Sequence, residues 1–494
     1  MTATPATEAL EARFRRISAL AGITSVLIWD QCVLMPFGGR NARADQLATL
    51  SVLRHELLTA PEVSEQLAAA EEEMVEGWRA ANLLEMRRLH CHAIALSSKL
   101  VDALSRASLR CETLWREART EANFSIVLKA LAELVALIQE EATAKAEAMK
   151  ITPYEALLRG YEPACSINSI EKLFCELENE LPSLLNCVLE HQATRGDPLL
   201  PQGPFPIALQ RELSRRVMRA IGFNFNYGRL DESMHPFCAG VPDDVRITNR
   251  YEDSSFINSI MGIIHETGHA LYERGLPIAW RTQPVGSARG MVIHESQSLL
   301  MEMQACRSEA FLDLLSSWVC AAFNINLKPE NLFRMCTKVK RGCIRVEADE
   351  ITYPLHVIMR TKLERAILSG DLQVAYLPSA WNAEMYNLIG VTPHNDAVGC
   401  LQDIHWYDGA FGYFPTYTLG ALTAAQLFQS AVRDEQCIPE AIGRGDFNPL
   451  VGWLSKNVYE LASFKSTEEI ISMATGSNLS TIPFLLHIRN RYLE

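Results

Sequence analysis

One stretch constrains this chain more than any other: Ile263-Ile264-His265-Glu266-Thr267-Gly268-His269-Ala270-Leu271. It sets two histidines four positions apart with a glutamate after the first, H-E-x-x-H. On a helix, positions i and i+4 share a face about one turn apart. The apolar Ile263, Ile264, Ala270 and Leu271 suit a helix with one face on a core. Two neutral imidazoles on one rigid element then point at a single metal ion. Glu266 stands where a carboxylate takes a proton from metal-bound water, whose pKa falls from about 15.7 to about 7. The spacing is that of a metalloprotease motif. The competing reading is an ordinary half-buried helix whose histidines are core or surface residues.

A third ligand decides between the two, because a catalytic zinc keeps three protein ligands and one open position. Glu295 lies 26 positions after His269, enough for a second helix to return alongside the first. His294 is the rival ligand. Adjacent helical positions diverge by about 100 degrees, so only one of the two faces the metal, and Glu295 is preferred. Glu302 lies two turns further on the same face and is a candidate acceptor for the outer N–H of a ligand histidine. Spacing alone supports a solvated surface glutamate equally well.

The length of 494 residues allows a large core and two or more subdomains. A formal charge of -13 argues against nucleic acid and anionic membranes as main partners. No apolar run approaches the roughly 18 residues of a membrane span. Met1 to Phe14 lacks an apolar signal core, and the C-terminal residues carry no retention, peroxisomal or prenylation signal. The 13 cysteines are scattered and contain no C-x-x-C pair, which predicts reduced thiols in a cytoplasmic protein.

In chain order, Leu10, Phe14, Ile17 and Leu20 make an apolar helical stripe. Trp29-Asp30-Gln31 and Met35 to Gly39 are expected to interrupt it. Long charged helices are expected over Glu62 to Lys99 and Arg106 to Lys150. Residues 1–150 thus predict a helical lid or wall subdomain, and 151–494 a catalytic subdomain. Further helices are predicted over Ser169 to His191 and Leu209 to Ile221. Phe223 to Tyr251 is rich in Gly, Pro, Asn and Asp, and Val245-Arg246-Ile247-Thr248 alternates, so a strand or hairpin is expected beside the active helix. That helix should start near Ser254 or Ser255 and end at Gly275 and Pro277. Ile344 to Ser369 reads as helix, kinked or stopped at Pro354. The stretches Gly399 to Trp406 and Asp408 to Gly420 are dense in glycine, aromatic and polar residues, unusual for plain scaffold.

Several of these segments together resemble the thermostable carboxypeptidase Taq family of metallocarboxypeptidases, including its trypanosomatid members. They are Trp29-Asp30-Gln31, His235-Pro236-Phe237, Asp244 to Thr248, His265 to His269, His294-Glu295-Ser296-Gln297, Ile344 to Asp349, and Gly399 to Trp406. They run nearly end to end. The resemblance implies a mostly α-helical, saddle- or nutcracker-like fold with a deep central groove, similar to neurolysin. It also implies a homodimer, one divalent metal (zinc or cobalt), and removal of C-terminal residues from peptides with broad specificity. By the same resemblance, His265, His269 and Glu295 are the metal ligands and Glu266 the general base. His405, Tyr413 and Tyr417 have the spacing of the groups that neurolysin-like enzymes aim at the tetrahedral intermediate. A hydroxyl or imidazole N–H there stabilises the oxyanion; the alternative for the tyrosines is aromatic core packing.

A carboxypeptidase must also recognise a free α-carboxylate, for which a bidentate arginine is the best physical choice. Arg345 and Arg246 are the candidates. Their alternatives are salt bridges, Arg345 with Asp349 on one helix and Arg246 with Asp244. Two rival functions stay open at this point. One is an oligopeptidase that cuts internally with the same metal chemistry; the other is a non-catalytic peptide-binding helical protein. Intact Glu266 and three available ligands speak against the second.

Overall fold

The computed structural model describes residues 5–494. The architecture is mostly helical, with one three-stranded sheet among the described residues. The chain forms two compact units by passing between them repeatedly. The first comprises residues 5–93, 198–337 and 423–479, and the second 94–197, 338–422 and 480–494.

In the first unit the opening helix is Ala6–Val33. Its Leu10, Phe14 and Ile17 meet Val63, Leu67, Ala70, Leu83 and Met86 in one core cluster, as the apolar stripe predicts. Leu20 is only half-buried. Trp29 does not interrupt this helix but lies inside it. Its buried ring carries the guanidinium groups of Arg229 and Arg246 at 4.7 and 4.4 Å, so packing keeps the helix running to Val33. The helix expected over Glu62 to Lys99 is broken, into Pro61–Glu72 and Gly77–Ile94, with Met74 left-handed between them.

The sheet is β1 (Gly228–Glu232), β2 (Phe237–Val241) and β3 (Asp244–Asn249), in the order β1-β3-β2. β2 and β3 form the expected hairpin, with Val241 opposite Asp244, and β1 runs parallel to β3. Gly240 is required here. Its φ is +105°, and a Cβ would sit 1.9 Å from the Asp244 carbonyl oxygen.

The helix carrying the histidine pair, Ile257–Gly275, packs on this sheet. It does not start from Ser254 or Ser255. The residue before it is Phe256, which offers no side-chain cap. Phe256 is buried against Phe205 and Phe323, with centroids 5.0 and 5.5 Å away, so aromatic packing anchors this end in place of a hydrogen bond. The far end falls at Gly275 as expected.

The second unit holds helices Ser98–Thr120, Ser125–Met149, Pro153–Tyr161, Ile167–Arg195, Thr352–Ser369, Leu377–Ile389 and Ile482–Leu493. The division expected near residue 150 does not coincide with the units, since 94–150 pack with later sequence. The Trp115 indole N–H donates to the Leu401 carbonyl at 2.9 Å, and the Phe124 N–H to Asp396 at 3.0 Å. The segment expected to be helical from Ile344 is a short 3-10 turn at Arg345–Glu347, and the helix begins only at Thr352. Pro354 therefore sits in a first turn, where a missing N–H costs nothing, and no kink arises. None of the 13 cysteines is in a disulfide. No described helix is long and apolar enough to cross a membrane.

Candidate metal centre

Two helices of the first unit build the site. His265, Glu266 and His269 lie on Ile257–Gly275, and Glu295 on Gly290–Leu299. The helices touch at Gly268, where a Cβ would fall 2.5 Å from the Gln297 carbonyl oxygen and 2.7 Å from Ser298 Cα. A glycine at this central position lowers helix propensity by about 1 kcal/mol. In return it lets the backbones approach until Glu295 reaches the histidine pair.

His265, His269 and Glu295 each present one ligand atom, and these lie within 4.8 Å of one another. Glu295 Oε2 is 3.3 Å from His269 Nε2 and 3.8 Å from His265 Nε2. The outer nitrogens are occupied. His265 Nδ1–H donates to Glu302 Oε2 at 3.0 Å, and Glu302 Oε1 accepts from Arg307 at 2.7 Å. His269 Nδ1–H donates to the His294 carbonyl at 3.1 Å. In the neutral ring each inner Nε2 atom is thereby the lone-pair donor, the tautomer a metal requires, and metal binding releases any further proton the ring carries. Glu302 is thus a support of His265, not a solvated surface glutamate. It sits in a π-helical turn, Leu300–Ala305, that the sequence does not signal. Single π turns recur at functional sites because they shift the face a side chain presents.

Charge follows from this crowding. Burial opposes a proton on His265, but Glu295, the hydrogen bond to Glu302 and Glu266 outweigh it and push it up to about 10. Burial and the neighbouring His294 lower His269 to about 4. Burial, with Glu295 against the opposing His265, raises Glu266 to about 7. Its carboxylate takes no hydrogen bond from a described residue. Three carboxylates around two imidazoles, with the donor atoms convergent, fit a divalent cation in both charge and ligand chemistry.

The other predicted residues gather in the second unit, except Arg246. Arg345 does not pair with Asp349. Asp349 instead accepts the backbone N–H groups of Lys340, Ile351 and Thr352 and so caps the start of the following helix. Arg345 donates through Nε and Nη2 to Asp403 Oδ1 at 3.0 and 2.8 Å, while Arg360 Nε holds Asp403 Oδ2 at 2.7 Å. Two buried guanidinium groups thus share one carboxylate. Burial would raise Asp403, but the two arginines hold it far below the usual carboxylate range. Arg345 Nη1 makes no hydrogen bond among the described residues, and the guanidinium lies 4.7 Å from the Tyr417 ring centroid.

His405 Nε2 lies 3.0 Å from the Tyr417 hydroxyl, and the rings of Tyr413 and Tyr417 are 5.2 Å apart. Burial, with Arg345 adding, lowers His405 to about 3, so its ring is neutral. Glu364 is buried and accepts from Tyr154 Oη, Trp406 Nε1 and Gly412 N, at 2.9, 2.8 and 2.7 Å. It thereby pins the loop that carries His405 and Tyr413. Arg246 stays on β3, bidentate on Asp244. Sequence reasoning passed over Asp403, Arg360 and Glu364, whose partners are distant in sequence. Arg307 and Glu273 escaped it too, although Glu273 is four positions after His269.

A helical frame with convergent imidazole and carboxylate donors beside an uncommitted glutamate defines a metallopeptidase centre. The chain belongs to the carboxypeptidase Taq (M32) metallopeptidase family, whose profile covers residues 9–492, and it is a metal-dependent carboxypeptidase. It is 35% identical to thermostable carboxypeptidase 1 of Thermus thermophilus, across 97% of this chain and 96% of the relative. Its fold is similar to Trypanosoma cruzi metallocarboxypeptidase 1, with TM-score 0.96 and 36% identity over 99% of each chain. The M32 carboxypeptidase of Deinococcus radiodurans R1 is similar as well, with TM-score 0.93 and 31% identity over 99% of each chain.

Proposed function

We propose that the chain hydrolyses C-terminal residues from peptides with broad specificity, with His265, His269 and Glu295 holding zinc or cobalt. The reading is carried by the convergence of those three donor atoms within 4.8 Å. Such a metal supplies Lewis acidity and makes hydroxide available near neutral pH. Glu266 acts as the general base, since an uncommitted carboxylate raised to about 7 is matched to proton transfer at neutral pH. Tyr417, with Tyr413 and His405, donates to the oxyanion; the neutral His405 ring and its 3.0 Å contact with the Tyr417 hydroxyl support this. Arg345 receives the substrate α-carboxylate. Its uncommitted Nη1 and the two-to-one excess of guanidinium over carboxylate favour an incoming anion. Arg246, already held by Asp244, is the weaker candidate.

The family resemblance supports a homodimer, which sedimentation at several concentrations tests. Scattered cysteines outside any disulfide support a cytoplasmic location, and fractionation of the source cells checks it. The deciding experiment for function is a panel of free and C-terminally amidated peptides, run with metal content measured on the same sample. Amidation should abolish cleavage. Equal cutting of both forms would make the chain an internally cutting oligopeptidase.

A further inference from the structure

We propose that His294 and Glu273 form a positioning pair that holds the His269 ring in the orientation and tautomer a divalent metal needs. The proposal rests on the reading that His265, His269 and Glu295 are the ligands. The sequence casts His294 as a rival to Glu295, yet its ring lies behind His269, centroids 4.6 Å apart. His294 Nδ1 is 2.7 Å from His269 Nδ1, and His294 Nε2 is 2.9 Å from Glu273 Oε1.

Counting protons leaves one consistent arrangement. His269 Nε2 faces Glu295 and must be bare to bind a metal, so the ring proton sits on Nδ1. That N–H meets two acceptors, the His294 carbonyl at 3.1 Å and the His294 ring Nδ1. For the ring nitrogen to accept, the His294 proton must be on Nε2, where Glu273 accepts it. Every N–H then has an acceptor. Reversing the order would set two N–H groups against each other at His269 and oppose the Glu273 carboxylate with a lone pair.

The two ligand histidines are therefore supported differently. His265 leans directly on Glu302, whose charge Arg307 balances. His269 reaches its carboxylate through a second imidazole, and that carboxylate is half-exposed. Both ends of the chain of contacts are tied to ligand-bearing helices. Glu273 is one turn beyond His269, and His294 directly precedes Glu295.

The test is zinc affinity of the full chain, stripped and titrated against a competing chromophoric chelator, with the thermal midpoint of each stripped variant recorded. His294→Phe keeps the ring area and removes both nitrogens; its Kd should rise about 10- to 100-fold at an unchanged midpoint. Glu273→Ala should raise Kd less, because the His294 ring Nδ1 stays beside His269 to accept its N–H and only the carboxylate that fixes the His294 tautomer is lost. The double variant should match His294→Phe alone, since Glu273 acts only through His294. Wild-type Kd in both single variants, or losses that multiply in the double, would overturn the pair. If His294→Phe does not fold, the half-exposed Glu273→Ala decides by itself, and a wild-type Kd there refutes the proposal. A wild-type chain that binds neither zinc nor cobalt refutes the ligand assignment itself, a separate result that removes the basis of the pair.

Discussion

The cluster on the paired ligand helices and the cluster around Asp403 are opposites in charge and in construction. The first gathers Glu266, Glu295 and Glu302 about two imidazoles on helix faces. The second sets Arg345 and Arg360 on one carboxylate, next to a neutral His405, on turns and loops. Negative excess calls for a cation, and positive excess calls for an anion. The difference teaches that the two clusters suit groups of opposite charge. It also shows that helix periodicity supplies the first, while long-range hydrogen bonds supply the second.

The sharpest way to break the contrast is Glu266→Gln. On the proposed roles the three metal donors stay and the base goes, so kcat should fall by about 10²- to 10⁴-fold with metal stoichiometry unchanged. Turnover near wild type at full metal content would remove Glu266 from the mechanism. Tyr417→Phe comes next. An oxyanion donor is worth about 3 kcal/mol, so kcat should drop about 100-fold or more while peptide Kd holds. A loss confined to Kd would make Tyr417 a packing residue.

Glu364 sharpens the comparison through pH. Burial outweighs its three donors and raises it from 4.5 to about 7. The folded state then binds the proton more tightly than the unfolded state. Its stabilising contribution is complete below about 4.5 and is lost as pH rises through about 7. The total is on the order of 3 kcal/mol. Glu364→Gln should flatten that part of the curve of unfolding free energy against pH, measured in urea from pH 4.5 to 8. An unchanged slope would show that the carboxylate is ionised throughout. The smallest effect expected is on the helix contact. Gly268→Ala drives a methyl into the Gln297 backbone and should destabilise by about 1–3 kcal/mol. It should also weaken zinc binding by moving Glu295. Wild-type affinity and stability together would mean that the helices separate at no cost.

Much of the first cluster was legible because its signals are local. His265 and His269 share a face by spacing alone, and a glutamate some 26 residues on can return on a neighbouring helix. The hairpin was legible from the alternation at Val245 to Thr248. Where expectation failed, packing overrode local preference. Trp29 stays helical under two arginines, and Phe256 replaces a serine cap. Arg345 lies on a 3-10 turn, so its expected partner at i+4 is not on its face and Asp403, 58 positions away, takes its place.

By itself, the sequence determined the helical class, the histidine pair with the glutamate between them, and the family, because these depend on residue type at fixed short spacing. Only the tertiary structure decided that Glu302 backs His265 and that His294 stands behind His269. It alone decided that Asp403 is shared between two arginines. Those contacts depend on where distant backbone segments come to rest, and a hydrogen bond that reaches across tens of residues leaves no period in the chain.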